Sequence, residues 1–150
     1  MGLISDTHGL LRPQALAALQ GCAHIIHGGD IGHEGILQQL RAIAPLTVVR
    51  GNNDTGEWAG GINETETIAL DGVKIYVIHD VKELAVDPVA EGIGVVVSGH
   101  SHKPKVEPRG CVLYVNPGSA GPRRFKLPVS VGELVIEGGK VAAGILALQA

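Results

Sequence analysis

The sequence predicts an α/β fold in which two sheets pack face to face with helices outside. Three observations lead there. In the first half, short aliphatic runs alternate with segments of helical period, the rhythm of parallel strands joined by helical crossovers. The second half carries strand and turn signals almost alone. The chain has 150 residues, 45% of them apolar, and shows no linker, repeat or compositional break, so it reads as a single domain over residues 1–150. Its aromatic residues are Trp58, Tyr76, Tyr114 and Phe125, so the core must be aliphatic.

Leu3-Ile4-Ser5 is a short first strand that delivers Asp6-Thr7-His8-Gly9 into a loop. Pro13 suits a first helical turn, Gln14 to Gln20 holds good helix formers, and Gly21 ends the helix. Ala23 to Ile26 is a second strand, running into His27-Gly28-Gly29-Asp30. Glu34 to Ala42 is a helix, with Ile36, Leu37, Leu40 and Ile43 in helical period. Leu46 to Val49 is a third strand, ending in Arg50-Gly51-Asn52-Asn53-Asp54. Thr65 to Leu70 and Val73 to Ile78 form a hairpin about Asp71-Gly72 that ends at His79-Asp80. Lys82 to Glu91 is at most a short helix, broken by Pro88. Val95 to Val97 is a buried strand leading to Gly99-His100-Ser101-His102. Lys105 to Glu107, Val112 to Val115, Ser130 to Ile136 and Val141 to Leu148 are strands, the last two about Gly138-Gly139. The second half is therefore expected to be mostly antiparallel.

Composition narrows the function. A net charge of −3 gives no basic excess for a nucleic-acid backbone. No apolar run approaches the roughly 20 residues of a membrane span, and no basic segment followed by an apolar stretch marks a secretory signal. Cys22 and Cys111 fit no zinc spacing and read as reduced, partly buried thiols of a cytoplasmic protein.

Every polar cluster follows a predicted strand. Loops at the carboxyl ends of strands converge on one crevice in open α/β sheets. Asp6, His8, Asp30, Asn52, His79, His100 and His102 are thus expected to meet. Three carbonyl or carboxylate oxygens and four imidazoles, without thiolate, suit Mn, Fe, Zn, Co or Ni better than Ca or Mg. Seven donors exceed the need of one ion with an open position and fit two ions sharing a carboxylate. Two metals about 3.5–4 Å apart can bridge a hydroxide and stabilise in-line displacement at phosphorus.

The runs Gly2-Leu3-Ile4-Ser5-Asp6-Thr7-His8-Gly9, His27-Gly28-Gly29-Asp30, Gly51-Asn52-Asn53-Asp54, Gly99-His100-Ser101-His102 and Asn116-Pro117-Gly118-Ser119 together resemble the calcineurin-like metallophosphoesterases. More narrowly, they resemble that superfamily's small single-domain bacterial and archaeal phosphodiesterases. The resemblance spans essentially the whole chain. It implies a four-layer α/β/β/α sandwich of two mixed sheets and a dinuclear site, with manganese the first candidate metal. One ion would take Asp6, His8, Asp30 and His102. The other would take Asp30 as bridge, Asn52, His79 and His100. A hydroxide bridging the two ions would attack a small phosphoester, most readily a phosphodiester.

The chain departs from the family pattern at two positions. Many relatives carry His where Asn53 stands, and that His positions phosphate or protonates the leaving group, so no general acid is named here. Relatives usually carry Gly where Asp80 stands. Its carboxylate would either repel an anionic substrate or hydrogen-bond a ligand imidazole. Arg12, behind the first run, and Arg50, ahead of the third, could meet substrate phosphate or lie in plain surface positions, the second being the commoner case. Asn53, Asp80 and Arg12 complete the candidate catalytic set.

Each residue also has a blander reading. Asp6 and Asp30 could cap turns, Asn52 could be a left-handed turn residue, and His79 a core histidine. His24, His27 and His33 read as structural or exposed. Arg123 and Arg124 could line the entrance or lie on a solvated loop, and Trp58 could sit in a flap or a plain loop. The alternative function is a non-catalytic interaction scaffold on the same fold, for which the retromer subunit that resembles this family is the precedent. Such proteins tend to lose ligand histidines, and here every ligand position is kept. An unrelated metal-binding domain is the third possibility. An aliphatic exposed edge would support a homo-oligomer.

Overall fold

The structure is a computed structural model that describes residues 1–124 and 126–149, so Phe125 lies outside the described residues. Strands β1 (Gly2–Ile4), β2 (Ile25–His27) and β3 (Leu46–Val48) lie parallel, and helices α1 (Pro13–Leu19) and α2 (Glu34–Arg41) are their crossovers. There follow β4 (Thr65–Leu70), β5 (Val73–Ile78), β6 (Ile93–Val97), β7 (Lys105–Arg109), β8 (Val112–Asn116), β9 (Ser130–Glu137) and β10 (Lys140–Ala147). The first sheet has the order β10-β9-β1-β2-β3, the second β4-β5-β6-β8-β7.

Alternation along each strand builds the layers. Leu3 and Ile26 point between the sheets, into an aliphatic core with Ile75, Val77, Val95, Val97, Val115 and Leu134. Their neighbours Ile4 and Ile25 point the other way, onto Leu19, Ile36, Leu37 and Leu40 of the two helices. The very short β1 is held on both sides, because β9 returns from the far end of the chain to pair antiparallel with it. The aliphatic core and the face-to-face sheets are as expected.

One feature departs from the local strand pattern, though the resemblance implied it, and the next agrees with the reading of Lys82 to Glu91. β5, β6 and β8 are parallel neighbours, so the second sheet is mixed rather than mostly antiparallel. The β5–β6 crossover makes its return without an α-helix, through a 3-10 turn at Val81–Glu83 and irregular chain, because Pro88 prevents a longer helix. This crossover covers only part of the second sheet's outer face. Val81, Leu84 and Val86 pack there on Tyr76, Ile78, Ile93 and Val96. The fourth layer is therefore thin, and the outer face of β7 is left open. Cys111 is exposed in the β7–β8 turn and Cys22 is half-buried. Among the described residues, no helix is long and apolar enough to cross a membrane.

The parallel strands of both sheets end at the same edge of the sandwich, which is where the polar loops collect. A core this aliphatic makes its central residues costly to truncate. Ile75 is fully buried between the sheets. Ile75→Ala should lower unfolding free energy by about 2–5 kcal/mol in urea titration, and a loss below about 1 kcal/mol would contradict the packing described.

Candidate metal centre

Six of the seven predicted donors fall into two clusters. Asp6, His8 and His102 form one, Asp30, His79 and His100 the other, and within each the donor atoms lie within 4.8 Å of one another. They come from the loops after β1, β2, β5 and β6. Asn52 follows β3 and lines the same groove as His79 and His100.

The backbone is bent to gather them. Among the described residues, the non-glycine positions with left-handed φ are Asp6, His8, Asp30, His100, His102 and the hairpin residue Asp71. Left-handed residues outside glycine cost on the order of 1 kcal/mol or more each and persist only where their surroundings hold them. Five of these six positions are candidate ligands, which sets this edge apart from the other turns of the described chain. Two glycines permit the close approach of the loops. A Cβ on Gly51 would run into the Asp30 carboxylate, and one on Gly99 into Ser5 and Asp6.

Each carboxylate is held by hydrogen bonds that turn one oxygen toward the imidazoles. Asp6 Oδ2 accepts from Ser5 Oγ at 2.7 Å and from the His100 backbone N–H at 3.0 Å. Its Oδ1 is buried without a hydrogen bond, 3.4 Å from His102 Nε2 and 3.7 Å from His8 Nε2. Asp30 accepts the Asn53 backbone N–H on Oδ1 at 2.9 Å and Asn53 Nδ2 on Oδ2 at 3.1 Å. Asp30 Oδ2 lies 3.2 Å from His79 Nε2 and 3.7 Å from His8 Nε2, between the two clusters.

The histidines are oriented in the same way. His79 Nδ1–H donates to the Gly28 carbonyl at 2.7 Å, which leaves Nε2 facing the carboxylates, buried and unpaired. His8 Nε2 and His102 Nε2 face each other at 3.3 Å. Donors held about 2.1 Å from one cation at roughly right angles stand about 3 Å apart, close to these spacings. Buried acceptors without donors, imidazole nitrogens turned toward them and a nitrogen–oxygen donor set fit divalent transition metals.

The charges agree with this. Burial opposes ionisation of Asp6, yet the imidazoles of His102, His8 and His79 and the Ser5 hydroxyl outweigh it and hold the carboxyl well below its ordinary value. Burial likewise opposes a charge on His79, but the Asp30 and Asp6 carboxylates raise it to about 9. Asp30 is lowered against its burial by His79 and the Asn53 N–H. Without a cation, a proton on His79 stands in for the positive charge this pair of carboxylates calls for.

The other sequence candidates are placed as follows. Asn53 binds Asp30 and not the loops around it. Asp80 Oδ1 caps the 3-10 turn by accepting from Lys82 N–H, and its Oδ2 is 3.7 Å from His100 Nε2. Arg12 donates through Nε and Nη2 to the Gly121 carbonyl, tying the first loop to the segment after β8. Arg50 pairs with Glu64 at 3.0 Å beside Asn52. His24 meets Thr47, and His33 stands at the start of α2.

Three supporting residues went without a role in the sequence reading. Buried Asp54 accepts from the N–H groups of Ile31, Gly32 and Gly51, locking the second and third loops together. Asn116 donates to the Gly99 carbonyl and Ser101 Oγ and accepts from Gly118 N–H, holding the His100–His102 loop. Thr7 donates to the Ile31 carbonyl, so His27 Nε2–H donates to Thr7 while His27 Nδ1 accepts from Gly29 N–H. Asp54 and Asn116 stood inside the recognised runs. Nothing local in those runs separated scaffold from ligand.

Comparison with known proteins gives a consistent result. A family model described as the calcineurin-like phosphoesterase superfamily domain matches residues 1–139. The chain is similar to a probable metallophosphoesterase of Methanothermobacter thermautotrophicus, with 30% identity over 158 aligned positions, covering 97% of this chain and 91% of that one. It is also similar to a phosphodiesterase of Methanocaldococcus jannaschii, with 29% identity, covering 79% of this chain and 82% of that one. In fold it is similar to wild-type Vps29 from Entamoeba histolytica in complex with Zn2+, at a TM-score of 0.74 and 25% identity, covering 98% of this chain and 99% of that one.

The His27 contacts yield a pH prediction. Burial pushes its imidazole down to about 4, against smaller opposing pulls from Asp6 and Asp30. The unfolded chain takes up that proton near 6.5, so between about 6.5 and 4 the unfolded state binds more protons. The stability His27 contributes is therefore complete above about 6.5 and lost as pH falls toward 4, by about 3 kcal/mol in all. Urea unfolding of metal-free protein at pH 7, 6 and 5 should show this decline, with a shallower slope in His27→Gln. Equal slopes would remove His27 from the account.

Proposed function

The chain belongs to the calcineurin-like phosphoesterase superfamily, and from that premise we propose that it is a metal-dependent phosphodiesterase acting on a small phosphoester. The observation that carries the reading is the pair of donor clusters with Asp30 Oδ2 between them and buried ligand atoms without a hydrogen bond, Asp6 Oδ1 and His79 Nε2. Asp6, His8, Asp30 and His102 would hold one divalent ion. Asp30, Asn52, His79 and His100 would hold the other. Such a pair supplies Lewis acidity to the phosphoryl oxygens and acidifies a water to serve as nucleophile. Manganese is the first ion to test, followed by Zn, Fe, Ni and Co.

The chain's own residues set the geometry. Asn53 uses its backbone and side chain together to aim both Asp30 oxygens. Ser5 and the His100 N–H turn Asp6 so that Oδ1 faces the clusters. The Gly28 carbonyl fixes the His79 tautomer. Asp80, 3.7 Å from His100 Nε2, lines the same two grooves as that imidazole. Half-buried Arg12 steadies the first loop through Gly121 and could release one N–H to a phosphoryl oxygen. A cytoplasmic location and a homo-oligomer are part of the same proposal. The edge strand β10, with only Lys140 charged among its residues, offers the apolar backbone for such an assembly.

The alternative, a non-catalytic scaffold on this fold, has a counterpart in the Vps29 architecture. The similarity to a probable metallophosphoesterase and to a phosphodiesterase, together with the intact donor set, favours the enzyme.

Chelator-treated protein should lose hydrolysis of bis(p-nitrophenyl) phosphate and regain it with Mn2+. Failure to bind any of the five metals, with no hydrolysis, would sink the enzyme reading. Asp30→Ala should abolish activity and lower metal occupancy in both clusters, whereas one full-affinity ion retained would show that Asp30 does not bridge. Asn53→Ala should keep the fold while weakening metal binding by about 10- to 100-fold, measured by calorimetry, and unchanged affinity would confine Asn53 to turn formation.

A further inference from the structure

We propose that the open groove on the outer face of the second sheet binds one arm of the substrate, and that this arm is a nucleotide carrying its own phosphate. The inference rests on the phosphodiesterase reading and extends it to a substrate class.

Position comes first. His100 and Asp80 line two separate grooves, one of ≈ 540 Å³ beside Asn52 and His79 and one of ≈ 510 Å³ running over β7 and β8. A diester has two substituents, and the phosphorus at the centre would send one along each. The second groove exists because the thin crossover after β5 leaves this face uncovered.

Charge comes next. The chain is net negative, yet Lys82, Lys103, Lys105 and Arg109, four of its twelve cationic side chains, line this groove. Lys105, Glu107 and Arg109 alternate along β7 and so share one face. Glu107 is paired by Lys105 at 3.2 Å and by Arg109 at 2.7 Å, and Asp80 is engaged by the Lys82 N–H. Four cations against two carboxylates leave the groove positive. Among the described residues, Lys82 and Lys103 have no ion-pair partner. These are exposed charges, so their attraction for an anion is screened within about 10 Å at 0.1 M salt and must act at close range.

The third element is planar. The Arg109 guanidinium lies 4.6 Å over the half-buried Tyr114 ring, and Glu107 fixes the guanidinium from the side at 2.8 Å. A guanidinium held over a ring gives a base a cationic and aromatic surface to pack against. A platform about 13 Å of β7 long at most, from Lys105 to Arg109, accommodates a single nucleotide and gives no track for a nucleic-acid chain. This agrees with the absence of an overall basic excess.

The test separates this groove from the metal chemistry. In metal-free protein, thymidine 3′-phosphate should bind measurably by calorimetry at low salt and thymidine alone should not. Lys103→Gln/Lys105→Gln should weaken the nucleotide at least tenfold, and Lys103→Gln alone should weaken it in the same direction. With metal restored, kcat/KM for thymidine 3′-phosphate 5′-(p-nitrophenyl phosphate) should exceed that for bis(p-nitrophenyl) phosphate at least tenfold. That ratio should fall toward one in the double variant and with rising salt. Absence of nucleotide binding in the wild type, or equal binding by the double variant, overturns the groove assignment. Hydrolysis of neither ester with any metal overturns the phosphodiesterase reading, while the metal-free binding result still decides the groove.

Discussion

The position of one carboxylate organises this protein's functional edge. Asp30 Oδ2 stands between His79 and His8, one from each cluster, and each cluster draws its donors from the ends of both sheets. It is held there by both donors of Asn53, from a third loop. If Asp30 turned away, His79 and His100 would lose the carboxylate of their cluster, and the buried acceptor on Asp6 would face three imidazoles with no second carboxylate to balance them. The left-handed backbone at Asp30, Asp6, His8, His100 and His102 is the local strain accepted to keep this arrangement.

The fold makes that strain sustainable. β1, β2 and β3 in one sheet and β5, β6 and β8 in the other all end at the same edge. The aliphatic core between the sheets fixes the distance between those ends. Buried polar residues then stitch loop to loop. Asp54 joins the loops after β2 and β3, Asn116 braces the loop after β6, and the Thr7–His27 pair joins the loops after β1 and β2. A change in any of these acts on the site through the ligands they hold. The same architecture explains the open groove, because a crossover too short for a helix leaves β7 and β8 uncovered.

Much of this was legible beforehand, for reasons that differ from place to place. β4 and β5 were read to the residue, since strict alternation about Asp71-Gly72 allows one register. α2 was read within a residue from its apolar stripe. The candidate donors were legible because each follows a strand and is of ligand type. The mixed second sheet was implied by the family resemblance but not by the local pattern. Nothing local in Ile93–Val97 reports the direction of its neighbours, and the missing crossover helix removed the usual signal for a parallel pair. Asn53 and Asp54 sat side by side in one run, and only their partners, Asp30 for one and three backbone N–H groups for the other, distinguish their tasks.

By itself, the sequence determined the layers and the residue types at the strand ends. Alternation and helical period are local, and they oblige each segment to bury one face. Tertiary structure alone decided which donors share a cluster, which oxygen of Asp6 stays free, and that Asp30 Oδ2 stands between His79 and His8. These are contacts across dozens of residues, set by how two sheets align their ends, and no local pattern carries that information.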